Sequence, residues 1–179
     1  PAPFNTARLR AGLGLSAALL AGAPGAWAQS YLPVGPQKNV PVATVNNLAG
    51  AVKVLRAVNR SNAGLMIDMH HFHRALDKPE DLDALPREWF HFGHLCDAQG
   101  EIPTDRAEMI RILREERLYV GEGGIDIAGI LRHLPVPVLS IELPHLARAK
   151  EFGFAEHAAR CLESAKSYFS ENVKRLGIA

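Results

Sequence analysis

Three short apolar runs, each closed by a polar side chain and each separated from the next by a helical stretch, constrain this chain more than any other feature. Leu65-Met66-Ile67 ends on Asp68. The aromatic run at 89–96 carries His94 and ends at Asp97, and the run at 135–141 ends on Glu142. Continuous apolar runs of this length suit parallel strands covered on both faces. Between them, residues 105–116 place Met109, Ile112 and Leu113 on one helical face, and residues 125–134 read as a further helix. Upstream, residues 46–59 space Leu48, Val52, Leu55 and Val58 about one turn apart. Residues 79–85 begin at a proline, which favours a first helical turn. Residues 154 to about 175 turn Ala158, Cys161, Leu162, Ala165, Tyr168 and Phe169 inward. Strand alternating with helix implies an α/β fold with a parallel sheet, and in such folds the reactive side chains stand at the strand ends.

Composition narrows the function. The net charge of +1 gives no general attraction to nucleic acid or anionic lipid. No run of about 20 apolar residues offers a membrane span. Cys96 and Cys161 form no CxxC pair, so a reduced, cytoplasmic setting is expected and no disulfide framework. The charge is unevenly spread: the first acidic residue is Asp68, whereas Arg8, Arg10, Lys38, Lys53, Arg56 and Arg60 precede it unbalanced. Residues 1–30 form an atypical Ala/Gly-rich segment with three readings. Residues 7–28 have the parts of an export signal, ending in Ala26-Trp27-Ala28. They also suit an Ala-rich barrel helix broken at Pro24 and Gly25, or foreign sequence introduced by a frameshift or fusion.

Asp68, His94 and Glu142 lie at successive strand ends, and neighbouring parallel strands would bring them to one mouth. Two carboxylates and an imidazole suit a divalent metal such as Mn²⁺, Mg²⁺ or Co²⁺. His70, His71 and His73 crowd the segment after the first of these strands. At least two of them are expected in a solvated loop, while one neutral imidazole near a metal could bind a sugar oxygen or carry protons. Arg117 lies in the charged run RILREER, where spacing favours a surface position, although its planar fork could hold a hydroxyl or phosphate. Gly121, Gly123 and Gly124 read as a flexible loop lacking the P-loop lysine. Cys96 reads as a small strand residue.

Taken in order, these residues resemble a known family. Residues 64–71, with Asp68 and His71, look like the D-x-x-H strand end of the xylose-isomerase-like sugar phosphate isomerase/epimerase family. His94-Leu95-Cys96-Asp97 resembles its H-x-x-D strand end. Residues 117–123 are similar to its R-x-x-P-G-x-G loop with Val120 in place of proline, and residues 140–144 resemble its closing strand. The match runs from about Val45 to Phe169. It implies the C-terminal portion of a (β/α)8 TIM barrel, incomplete because a whole barrel takes about 250 residues, with residues 31–179 as the barrel unit. It further implies Asp68, His94 and Glu142 as metal ligands, Glu142 as an acid/base carboxylate, and His71 and Arg117 as substrate contacts. The implied reaction removes a proton beside a carbonyl of a small sugar or polyol, with the metal stabilising an enediolate.

The resemblance has one conspicuous gap. The family places a metal-binding and acid/base glutamate on an earlier strand, where this chain has Gln29-Ser30 before Tyr31-Leu32-Pro33. Replacement of residues 1 to about 30 by frameshift or rearrangement accounts for that gap; the other two reading frames of the gene should then encode a strand ending in Glu. A dehydratase of the same barrel type and a non-catalytic truncated barrel stay open as alternatives. Exposed strand edges of such a barrel would favour a homo-oligomer. DNA repair enzymes share the barrel type, but the acidic balance after Asp68 opposes a phosphate-binding surface.

Overall fold

The computed structural model describes the backbone of residues 26–28 and, with side chains, residues 45–136 and 138–172. The expectations placed on residues 1–25, on Gln29 and Ser30, and on the last helix beyond Asn172 lie outside the described residues. Among the described residues, four parallel strands stand side by side in chain order: β1 (Ala26–Ala28), β2 (Ala63–Asp68), β3 (Phe90–Leu95) and β4 (Leu139–Ile141). The helices are α1 (Leu48–Val58), α2 (Met69–Arg74), α3 (Arg106–Glu115), α4 (Ile127–His133), α5 (Leu146–Phe152) and α6 (Phe154–Glu171). This is the α/β, parallel-sheet architecture expected. Among the described residues no helix is long and apolar enough to cross a membrane.

All six residues of β2 are buried, which is why its sequence runs apolar without alternation. Leu65 and Ile67 face a core shared with Leu48, Ala51, Val52 and Leu55 of α1 and with Phe90, Leu95 and Leu139. Each fully buried aliphatic side chain contributes on the order of 1.5–3 kcal/mol. Helix α1 starts where Asn47 accepts the Gly50 N–H at 2.8 Å, and it stops where Asn59 turns left-handed at φ 44°. That stop leaves Val58 exposed, not inward as its spacing suggested, because the final turn has passed the edge of the sheet-facing stripe. Residues 79–84 form a single 3₁₀ segment begun by Pro79. Among the described residues of the apolar run 135–141, Leu139–Ile141 pair as a strand.

One irregularity in the sheet positions the chemistry. Leu65 pairs with Phe90, but Met66 pairs with Phe92, so His91 is an extra residue in β3. Without this bulge Asp68 would stand beside Gly93; with it, Asp68 stands beside His94. Gly64 makes room for the bulge. A Cβ there would lie 2.1 Å from the His91 ring and 2.5 Å from the Trp89 carbonyl oxygen, and the second of these is backbone that cannot swing away. Gly64→Ala is therefore expected to lower unfolding free energy by about 1–3 kcal/mol. Urea denaturation checks this, and an unchanged midpoint would show that the bulge has no such tight seat.

Candidate metal centre

The pleat of the sheet turns Asp68, His94 and Glu142 to one end of the same face. Asp68 is in register with His94, and His94 with Ser140; Glu142 follows two residues later, its N–H donating to Leu95 O at 3.2 Å. Asp68 ends β2 and also caps α2, since its Oδ1 accepts the His71 N–H at 3.0 Å. The cap fixes the carboxylate plane and leaves Oδ2 facing inward. His94 Nδ1 lies 2.6 Å from Glu142 Oε2 and 3.5 Å from Asp68 Oδ2. One ligand atom from each residue falls within 4.8 Å of the others. Asp68 is the deepest at 0 % side-chain exposure, His94 is 18 % exposed, and Glu142 opens to solvent at 32 %.

Arg117 sits inside this cluster and not on the surface, which corrects the position its charged run suggested. Its Nη1 donates to Asp68 Oδ2 at 2.8 Å and lies 3.5 Å from Glu142 Oε2. It also reaches the Glu142 carbonyl at 3.2 Å and Cys96 Sγ at 3.3 Å, while Nε donates to Leu113 O at 3.2 Å. Its backbone N–H donates to Pro144 O, and its neighbour Leu118 pairs with Asp97 in both directions. Arg117 is thus held between the ends of β3 and β4, in the site the resemblance implied but not at the surface its charged run suggested.

The histidines after β2 require a second correction. They belong to helix α2 and not to a loop: His70 and His71 are buried, and His73 is half-buried with Nε2 2.9 Å from Gly100 O. The helix starts directly on the strand end, so its first turn is carried under the site. Burial, reinforced by the Arg117 charge, drives the His70 pKa down to about 2. Burial also lowers that of His71, against the opposing pull of Asp68. Both imidazoles are therefore neutral at pH 7.

The glycine loop is pinned, not loose. Asp97 is buried, and its carboxylate accepts N–H groups from Ala98 (2.8 Å), Gly121 (3.1 Å), Gly123 (2.9 Å) and Ile125 (3.2 Å). Gly123 passes so close that a Cβ would lie 2.3 Å from Asp97 Oδ1. A further tether comes from α6, whose His157 was hidden in a helical apolar stripe. The Leu143 carbonyl, 3.2 Å from Nε2, can only accept, so Nε2 carries the proton and Nδ1 accepts from the Tyr119 hydroxyl at 2.9 Å. That one ring joins the segment after Glu142 to the segment after Arg117.

Charge in the cluster is settled by its neighbours. Burial would raise the Asp68 pKa, but Arg117 and then His94 hold it well below the usual carboxylate range. Burial would lower that of His94, but the Asp68 and Glu142 carboxylates beside its Nδ1 lift it to about 9. The His94 contribution to stability is accordingly complete below pH 6.5 and lost as pH rises through 9; that of Asp68 is present above about pH 4 and lost in stronger acid. Metal-free protein is expected to lose about 1–3 kcal/mol between pH 6.5 and 9.5, and His94→Gln should flatten that slope. Urea unfolding across the window measures both, and an equal slope in the variant would remove His94 as its source.

A divalent cation fits this donor set. Two carboxylate oxygens and one imidazole nitrogen converge, the outermost of the three side chains is open to solvent, and His94 Nδ1 lies directly among the carboxylate oxygens. Comparison with known proteins agrees in kind. No family model matches the chain. An inosose isomerase of Bacillus licheniformis is 30% identical over 117 residues, 65% of this chain and 34% of that protein. The inosose isomerase of Bacillus subtilis is 28% identical over 116 residues. The chain thus spans about a third of the length of these relatives. Among solved structures, an IolI protein with a bound zinc atom superposes with a TM-score of 0.54 at 25% identity, covering 75% of this chain and 45% of that one. A xylose isomerase domain protein of Salmonella typhimurium, at TM-score 0.58 and 12% identity, covers 83% and 50%, and shares the fold. These neighbours are TIM barrels, and the described sheet corresponds to a portion of one.

Proposed function

We propose that this chain, a relative of the xylose-isomerase-like sugar isomerases and epimerases, binds a divalent cation through Asp68, His94 and Glu142 and catalyses proton transfer on a small sugar or polyol ketone. The observation that carries the reading is the convergence of those three side chains at one sheet end, with Glu142 opening to solvent. When bound, the cation supplies a Lewis acid that polarises a carbonyl and an adjacent hydroxyl. Glu142 is the carboxylate a substrate meets first, and it takes a proton from the carbon beside the carbonyl. His71, neutral and just behind Asp68, offers a hydrogen bond to a substrate oxygen without adding charge. Arg117 acts from beneath the carboxylates, and a substrate oxygen reaches it only beside them.

One carboxylate on one face of the substrate can lift a proton from one carbon and return it to the next, which is isomerisation. Epimerisation needs a second group on the opposite face. The named activity of the relatives, an inosose isomerase, supports isomerisation and points to cyclic polyol ketones as the first substrates to try. The barrel portion and the cytoplasmic setting belong to this same reading, with the described sheet beginning at β1, ahead of the start at residue 31 read from sequence.

The test uses metal-replete protein, a panel of inososes and ketohexoses, and heavy water. Product carrying solvent deuterium at one carbon is expected, with turnover abolished by chelation and reduced about 10²–10⁴-fold in Glu142→Gln. Activity that survives both treatments would sink the proposal. Cation binding without turnover on any substrate would support the non-catalytic alternative, and loss of water from the substrate the dehydratase.

A further inference from the structure

We infer that Arg117 is a built-in counter-cation of this site: it keeps the carboxylates assembled when no metal is present, competes with metal for the same oxygens, and so sets the affinity for a divalent cation. The inference rests on the metal-centre reading above and adds to it how cation affinity is regulated.

Asp68 already has the oxygen nearest His94 in use. Its Oδ1 is committed to the His71 N–H, and its Oδ2 already accepts from Arg117 Nη1 at 2.8 Å. No solvent reaches this carboxylate, so no water screens it, and a cation held beside His94 through Oδ2 shares that oxygen with the guanidinium. Glu142 repeats the arrangement, because its Oε2 lies near both His94 Nδ1 and Arg117 Nη1. A metal entering here brings its charge next to a cation that cannot leave, since Arg117 is held by its Nε bond to Leu113 O and by its backbone bond to Pro144 O. Like charges at such range oppose one another strongly where water is excluded.

Arg117 also need not move for the metal to enter. Nη1 carries two hydrogens and has Asp68 Oδ2, Glu142 O and Cys96 Sγ within reach. When a cation takes Oδ2, Nη1 retains the carbonyl and the sulfur and no buried donor is stranded. The contest is therefore purely electrostatic, which makes a neutral side chain of similar length the informative change.

The experiment titrates Mn²⁺ into wild type, Arg117→Met, Arg117→Lys and Asp68→Asn at pH 8 by calorimetry, with thermal unfolding of each protein in the absence and presence of Mn²⁺. Arg117→Met is expected to bind Mn²⁺ about 10- to 100-fold more tightly than wild type. Arg117→Lys, which keeps a cation but not the fork, should fall between wild type and Arg117→Met. Without metal the Met variant should melt lower than wild type, and Mn²⁺ should raise its midpoint by more. If that variant does not fold without metal, its midpoint as a function of Mn²⁺ concentration still yields the affinity. Equal or weaker binding in Arg117→Met, with wild type binding and Asp68→Asn not, overturns this inference alone. Absence of binding in every protein overturns the metal-centre reading and the inference with it.

Discussion

Asp68→Ala is expected to destabilise the metal-free protein by about 3–5 kcal/mol and to abolish divalent-cation binding. The loss has two parts. The α2 cap on the His71 N–H goes, worth about 1 kcal/mol. The larger part is Arg117, whose guanidinium is 3 % exposed and would be left without its nearest carboxylate. A buried pair contributes little net stability as a pair, because desolvation offsets attraction, but removing one member strands the other charge. The double variant Asp68→Asn with Arg117→Met should therefore recover much of what either single change loses, since it removes both charges and keeps a capping oxygen. Urea unfolding of wild type, Asp68→Asn, Arg117→Met and the double variant gives the coupling directly. A loss below about 1 kcal/mol in Asp68→Ala would mean that this pair is not formed as described.

Asp97→Ala should cost about 4 kcal/mol or more, from four backbone N–H groups that lose one buried acceptor. Its consequence reaches the site. Asp97 and Leu118 exchange backbone hydrogen bonds of 2.9 and 3.1 Å, so loosening the 121–125 segment also loosens the support of Arg117. Asp97→Asn keeps the shape but turns an amide N–H₂ toward other donors, and its loss should be intermediate. Hydrogen exchange separates this account from general destabilisation: the amides of Gly121, Gly123 and Ile125 should lose protection before those of β2 and β3. Uniform loss across all of these amides would reject Asp97 as the loop's specific anchor.

The readings that matched the structure and those that did not differ in kind. The apolar run before Asp68 became a fully buried strand because nothing in it could face water. The turn-spaced faces of α1, α3 and α6 turned inward over most of their length, with Val58 as the exception beyond the last useful turn. The histidines of α2 and the guanidinium of Arg117 were placed too near solvent, because polarity along a sequence is a guide to exposure only when no partner waits inside. Arg117 and Asp68 are 49 residues apart, and no local pattern announces such a pair. His157 was missed for the converse reason: at helical spacing an imidazole among apolar residues looks like core, and only the Leu143 carbonyl and the Tyr119 hydroxyl give it work.

Residue order alone did not announce α2 or α5. It determined the strands that end at Asp68 and beside His94 and Glu142, the helices α1, α3, α4 and α6, the parallel sheet, and the acidic and imidazole groups at strand ends. These follow from backbone preferences and from burying one stripe or two faces, which are set within a few residues. The three-dimensional fold decided the rest: the His91 bulge that sets His94 beside Asp68, the burial of Arg117 against both carboxylates, and the protonation of His94. Register and charge state depend on groups brought together from distant parts of the chain, and their energies exist only after the chain has closed around them.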